Sequence, residues 1–244
     1  MKPEVKWAVI GVIVTGIGIA IATFFSILQT NMVLPNEKSG GNQETFDGLI
    51  ADGTNQFESE KYLEASYSFD RARQLNPLSD FAWAMEGRSL QELAATKYEL
   101  GQDKEAGQLE IQANTFFEHA LSINPNNVKA LFGKGYILLG SQNYAEAIDN
   151  FELGIKNIKN GTRDWGLLKG LSRAYSEWGM QTTPHNMTRC DRGLENAQIL
   201  LNEDKEPEDK PYIYEAMYLA QKCKDNNQEE QKWFDLMQGA SKQS

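Results

Sequence analysis

The chain has 244 residues, 41% of them hydrophobic, enough for a sizeable core or a stack of several repeats. Its formal net charge is -10, and once Lys2, Glu4 and Lys6 are set aside the rest carries 22 basic against 33 acidic groups, a balance that argues against nucleic acid or an anionic membrane surface as partner. Two cysteines and two histidines, with no CxxC or HExxH spacing, argue against a zinc framework.

Residues 1–30 hold the longest apolar stretch. Trp7 to Leu28, WAVIGVIVTGIGIAIATFFSIL, is 22 residues without a charge. As a helix it would span about 33 Å, the thickness of a bilayer core, and it reads as one transmembrane helix. The rival reading is a cleaved signal peptide, with Lys2 and Lys6 at its start and Ala20-Ile21-Ala22 as the cleavage site. The apolar run continues past Ala22 through Phe24, Phe25, Ile27 and Leu28, which speaks against cleavage. Two lysines precede the run, and the fourteen residues after Thr30 offer only Lys38. The positive-inside bias therefore sets the N-terminus in the cytoplasm and the large remainder outside. Gly11, Thr15, Gly18, Ala22 and Ser26 share one face. That stripe suits packing against another membrane helix, and it is also ordinary anchor composition. Residues 31–44, with Pro35, Ser39, Gly40 and Gly41, read as a flexible tether.

Residues 45–161 spell one phrase three times. The first copy is Gly53, Tyr62, Ala65, Phe69, Ala72, Pro77; the second is Gly87, Ala113, Phe117, Ala120, Pro125; the third is Gly135, Tyr144, Ala147, Phe151, Gly154. Gly53 to Gly87, Ala113 to Ala147 and Phe117 to Phe151 are each 34 residues. Each copy reads as a pair of amphipathic helices. Asn76-Pro77 and Asn124-Pro125 end second helices, and Ser79 or Asp80, then Asn126 or Asn127, can cap the next. The glycine removes a Cβ where two helices approach, and small and large residues alternate along the second helix so that the pair interlocks.

These positions resemble the tetratricopeptide repeat, whose 34-residue pattern places Trp, Leu, Gly, Tyr, Ala, Phe, Ala and Pro in order. Trp83 fills the tryptophan place in the second copy, with Leu49 and Leu131 in the others. The resemblance covers about half of the chain and implies an all-α fold, a right-handed solenoid of helical hairpins. The second copy departs from the pattern, because Gly87 to Gly135 is 48 residues, leaving 14 extra between Gly87 and Ala113. Two helical turns added to each arm would preserve the packing register. The segment is rich in helix formers and lacks proline, so helices over Phe81 to Leu100 and Lys104 to Ile123, joined at Gly101, are expected to project beyond their neighbours.

Residues 162–244 continue the pattern in degenerate form. Arg163 to Trp178 reads as a fourth first helix with its glycine displaced by one, to Gly170. A long connection, Gly179 to Thr188, leads to a helix over Cys190 to Asn202, and EDKEPEDK (203–210) is a charged turn. Tyr212 to Cys223 and Glu229 to Ser241 complete a last hairpin that caps the stack.

Cys190 and Cys223 lie equidistant from that charged turn, so antiparallel helices would bring them opposite each other. The readings are a disulfide, reasonable in an extracytoplasmic domain, or two reduced core thiols. Met180, His185 and Met187 join Cys190 within eleven residues. Such soft ligands suit copper. A helix connection also carries such residues by chance, and Cys190 cannot serve both roles, so no metal is expected. Asn160 and Asn186 head glycosylation sequons that an outside domain could use. His119 reads as a helix residue and no catalytic base. No nucleophile with a nearby base and no phosphate loop emerges, so the chain reads as no enzyme and without a cofactor.

The resemblance further implies that the first helices line a groove for a partner segment. It places Asp47, Ile50, Thr54 and Phe57 there, then Phe81, Ala84, Arg88 and Gln91, then Lys129, Phe132, Tyr136 and Leu139, and finally Arg163 and Arg173. Of the set with which some family members clamp a chaperone carboxylate, only Lys129 matches; Thr54, Met85 and Gly133 do not, so that role is set aside. The mixed aromatic and cationic lining suits an extended acidic-aromatic segment. The expected protein is a membrane-anchored interaction scaffold on the outer side of the cytoplasmic membrane. The alternatives are an accessory subunit of a larger membrane complex, even an enzyme complex, and a secreted binder released by cleavage.

Overall fold

The computed structural model describes residues 44–158, 164–202 and 210–240. The expected anchor Trp7–Leu28, nearly all of the expected tether, and Asn160 and Arg163 lie outside the described residues. Within them no helix is long and apolar enough to cross a membrane.

Among the described residues ten helices follow one another: α1 (Phe46–Glu58), α2 (Tyr62–Leu75), α3 (Asp80–Glu99), α4 (Asp103–Ile123), α5 (Val128–Gly140), α6 (Tyr144–Asn157), α7 (Trp165–Met180), α8 (Met187–Asn202), α9 (Lys210–Cys223) and α10 (Asn227–Ala240). They pack as five hairpins, and each second helix also touches the first helix of the next pair. First helices additionally touch one another, α3 with α5, α5 with α7 and α7 with α9. The result is two layers, one of first helices and one of second helices, with the core between them.

The ends of the helices are set by local chemistry. Thr45, Ser79, Asn127 and Asp164 each accept from a backbone N–H of the first turn, at 3.1, 3.1, 2.9 and 3.2 Å. Asn124 and Asn127 also donate to the Asp80 carboxylate at 2.6 and 2.9 Å, which ties the second inter-pair turn to the first. Four of the five hairpins turn by one device. Glu60, Gly101, Gln142 and Asp225 have φ of 59°, 70°, 62° and 54°, and the residue after each donates back to a carbonyl five residues earlier in the chain, at 2.8–3.1 Å. The hairpin of α7 and α8 differs, with a cis Thr183–Pro184 bond in its connection. That connection is shorter than the Gly179–Thr188 expected from sequence. The helices consume its ends, and Asn186 Oδ1 accepts from Arg189 N at 3.2 Å to start α8 early.

The core repeats a single contact. Phe69, Phe117 and Phe151 are fully buried. A Cβ on Gly53, Gly87 or Gly135 would stand 2.9, 2.8 or 2.5 Å from the ring of its own pair's phenylalanine. On the opposite side the next pair's first helix also yields: a Cβ on Gly133 would stand 2.1 Å from Phe117, and one on Gly170 2.5 Å from Phe151. Gly170 is therefore no displaced copy of Gly135, because it receives the phenylalanine of the preceding pair. In the fourth pair the roles are exchanged. Gly193 lies on the second helix, Ser172 and Ser176 on the first, and Ser172 Oγ donates to Gly193 O at 2.9 Å.

α3 and α4 have 20 and 21 residues against 13 and 14 in the pairs on either side, seven more in each arm. Ala94 and Ala106 are buried between the arms, and Tyr98 donates to Glu110 at 2.9 Å across them.

One polar seam joins the first two pairs. Glu86 on α3 is 4% exposed and accepts from Arg73 Nε of α2 at 2.8 Å. Arg73 also pairs with Asp70 and stands 4.3 Å over the Trp83 ring, which stacks on His119 of α4 at 4.3 Å. Burial raises the Glu86 carboxyl to about 7; Arg73 opposes the rise and Asp70 adds to it.

Two outcomes follow from this packing. Gly133→Ala is expected to cost about 1–3 kcal/mol in urea denaturation, despite alanine's better helix propensity, because Phe117 has nowhere to move. Adding Phe117→Leu should recover part of the loss. Glu86 in the folded state keeps a proton that the unfolded chain releases between its ordinary pKa and about 7. Its contribution is full below the unfolded value and is lost as pH rises through about 7, so the stability of the native chain relative to Glu86→Gln should fall by about 2–3 kcal/mol between pH 4.5 and 8.

Candidate partner-binding groove

The face made by α1, α3, α5 and α7 is continuous because their side chains reach across the seams. Gln91 donates to Gly133 O at 3.0 Å, and Tyr136 donates to Gly166 O at 2.9 Å. A Cβ on Gly166 would stand 2.3 Å from Phe132, so that glycine lets α7 close on α5. Arg88 of α3 is central. Its guanidinium carbon stands 4.1 Å from the Phe132 ring centre on α5 and 5.7 Å from that of Phe57 on α1. One terminal nitrogen binds Glu92 at 3.0 Å, whereas Nε is buried without a partner among the described residues.

Lys129 stands 5.8 Å over Phe81 and makes no ion pair among the described residues. Its ammonium is held below the usual lysine range, first by partial desolvation and then by the positive charge of Arg88. Two cations are thus set close together against Phe57, Phe81 and Phe132. Further along, Arg173 binds Glu177 at 2.6 Å. Partial burial opposes its charge, but the hydrogen bond and charge of Glu177 outweigh this and hold it above the usual arginine range. Lys169 pairs with Glu215 of α9 at 2.8 Å.

The expected lining residues divide. Asp47 is exposed at the start of α1; Ile50, Thr54, Phe57, Phe81, Arg88, Gln91, Phe132, Tyr136 and Arg173 are half-buried. Thr54 Oγ1 is engaged with Ile50 O at 2.8 Å, and Ile50 packs into the core of the first pair. Ala84 and Leu139 are corrected: both are buried in inter-helix clusters and line no open surface. A spacing of three or four residues keeps positions on one face, but that face is wide enough for its flank to pack against the following helix. Glu92 and Glu177 were missed. Each lies four residues after its arginine, so i,i+4 pairing was the available signal. Gly166 and the Lys169–Glu215 pair join segments distant in sequence, and no local pattern marked them.

Cys190 and Cys223 form a disulfide between α8 and α9, with Cα atoms 5.3 Å apart. α7 closes over it at Gly179, where a Cβ would stand 2.6 Å from Cys223 Sγ. The soft-ligand set accordingly has no thiolate, His185 Nδ1 lies 3.0 Å from Cys223 O, and no group of three His, Cys, Asp or Glu suits a metal among the described residues. Met180 is half-buried and Met187 exposed.

Residues 116–149 match the tetratricopeptide repeat family. This stretch carries a tetratricopeptide repeat. The chain has the fold of proteins built from that repeat. It resembles PilW, a widely conserved type IV pilus biogenesis factor, at 13% identity and a TM-score of 0.57 over 82% of this chain and 80% of that one. Residues 41 to the end of MamA from Desulfovibrio magneticus RS-1 align at 16% identity and a TM-score of 0.53, over 84% and 99%. YrrB, described as a TPR protein with an unusual peptide-binding site, aligns at 14% identity and a TM-score of 0.51, over 82% and 88%. No curated protein sequence matches the chain.

The disulfide closes a loop with a sequence separation of 33 residues. Cys190→Ala combined with Cys223→Ala is expected to lower stability by about 2–4 kcal/mol. The folded protein should take up no iodoacetamide until it is reduced.

Proposed function

We propose that the protein is a membrane-anchored interaction scaffold that holds an extended segment of another protein along the face of α1, α3, α5 and α7. The observation that carries this reading is the pair formed by Arg88 and Lys129. In a chain of net charge -10, two cations are set together between aromatic rings, one without an ion-pair partner among the described residues and the other with a buried, unpartnered Nε. A bound carboxylate would be attracted by both positive charges, and the rings would take apolar or aromatic neighbours of that carboxylate. The tetratricopeptide repeat supports a protein partner, and the peptide-binding site named for YrrB is consistent with one.

The anchor is Trp7–Leu28, with the N-terminus in the cytoplasm and the repeat domain outside. The Cys190–Cys223 bond supports that side, since disulfides persist in oxidising compartments. We assign the chain no catalytic step and no cofactor.

The test uses the full chain in its own membranes. A photo-crosslinking residue in place of Lys129 should yield a discrete adduct with another polypeptide, and one in place of Thr115, on the exposed side of α4, should not. Arg88→Ala is expected to reduce the Lys129 adduct about tenfold, the effect of losing one charge-assisted hydrogen bond. Adducts from Thr115 alone would move the interaction to the second-helix face. Protease added to the outside of intact cells should release the repeat domain; a domain resistant until lysis would reverse the topology.

A further inference from the structure

The first inter-pair turn is rigid and yet presents leucine to solvent. Leu78 is 77% exposed and Leu75 55%, and Leu78 is the most exposed large hydrophobic residue among those described. The turn between them is pinned. Leu78 N donates to Asn76 Oδ1 at 3.2 Å, Ser79 N to Asn76 O at 3.1 Å, and Trp83 Nε1 to Pro77 O at 2.8 Å. Leu78 therefore cannot fold back onto the core.

The second inter-pair turn has the same construction. Asn126 N donates to Asn124 Oδ1 at 3.1 Å and Asn127 N to Asn124 O at 3.0 Å. The residue after its proline is Asn126 in place of Leu78. The position before its asparagine, Ile123, is half-buried where Leu75 is exposed. The geometry of the turn needs no leucine in either place.

The first turn also stands at the edge of the domain where the tether enters. α1 and α2 are antiparallel, so the end of α2 returns to the edge at which α1 begins. The ion pair of Glu44 with Arg71 shows this directly, joining the residue before Thr45 to the last turns of α2. Residues 29–43, fifteen in number, separate that edge from the apolar run that ends at Leu28, and at full extension they reach only about 50 Å. Of the two comparable turns, the one nearer the tether is apolar.

We propose that Leu75, Pro77 and Leu78 form a membrane-docking edge that inserts into the interface of the bilayer holding the anchor. This rests on the anchor reading above. A tethered domain meets the bilayer at high effective concentration, so two leucines suffice to set its orientation without providing the attachment. The acidic balance of the domain makes a zwitterionic surface the fitting one.

The test uses the full chain in phosphatidylcholine vesicles containing doxyl-labelled lipid. Cys190 and Cys223 are bonded to each other, so an introduced thiol takes the label uniquely. A fluorophore on Gln74→Cys, beside Leu75, should be quenched several-fold more than one on Glu58→Cys, at the far end of α1. Adding Leu75→Asn and Leu78→Asn should bring quenching at 74 down to the level at 58; both leucines are exposed, so the fold should survive and urea denaturation checks that it does. Equal quenching at 74 and 58, in vesicles with which the chain floats, overturns the docking edge and leaves the anchor standing. A chain that does not float removes the anchor, and the docking edge with it. Shielding at 74 that grows with protein concentration without doxyl quenching would mean self-association, and also overturns the proposal.

Discussion

The stack depends on a phenylalanine ring lodged where two helices have no side chain. Each of Phe69, Phe117 and Phe151 is fully buried, and each meets the glycine of its own first helix. Phe117 and Phe151 meet a second glycine from the next pair, whereas Phe69 packs against Met85 at that place. A ring in this position sets the separation of three helices at once. Its contacts are numerous, and the surrounding groups have little room to adjust. The pair is thus defined internally and its successor is aligned by the same group, which is how a repeat with a small core of its own becomes a continuous solenoid.

That contact also explains how the second pair tolerates its length. Gly53, Gly87 and Gly135 are each the eighth residue of their helix, and Phe69, Phe117 and Phe151 are each the seventh from the end of theirs. The notch is measured from the edge that carries the inter-pair turns. Seven residues added to each arm fall beyond it, on the side of the hairpin turn at Gly101, and the packing register of both neighbours is untouched. In the fourth pair the device changes. Glycine moves to the second helix, serines replace the ring, and a disulfide stands at the end of α7. A short polar contact is an alternative way to bring two helices close, so the sequence degenerates there while the stacking does not.

The first-helix face inherits its chemistry from this geometry. Close packing of first helices brings Arg88 of one pair over rings of the pairs before and after it. Arg88 and Lys129 come together where first helices meet, in contact with aromatic faces, and Glu92 holds only some of the Arg88 donors. The opposite seam, between α2, α3 and α4, uses the same residue types to another end. Glu86 and Arg73 are enclosed there and serve the joint between pairs.

The sequence by itself determined the helices, their pairing and the doubled extension about Gly101, and it narrowed the caps to Ser79 or Asp80 and to Asn126 or Asn127, of which the folded chain uses Ser79 and Asn127. Each of these is written in spacing, in Asn-Pro dipeptides and in glycines recurring at fixed positions, so each is a local property. It also named most of the half-buried residues on the first-helix face, because successive first helices present the same face. It could not separate Ala84 and Leu139 from the open surface, since burial at the flank of a helix depends on how close the next helix comes. Nor could it show that Gly170 serves Phe151 or that Gly166 admits Phe132. It also left the pairing of Cys190 with Cys223 as one reading of two. Those are contacts between segments tens of residues apart, and their existence depends on interhelix distances that only the folded stack sets.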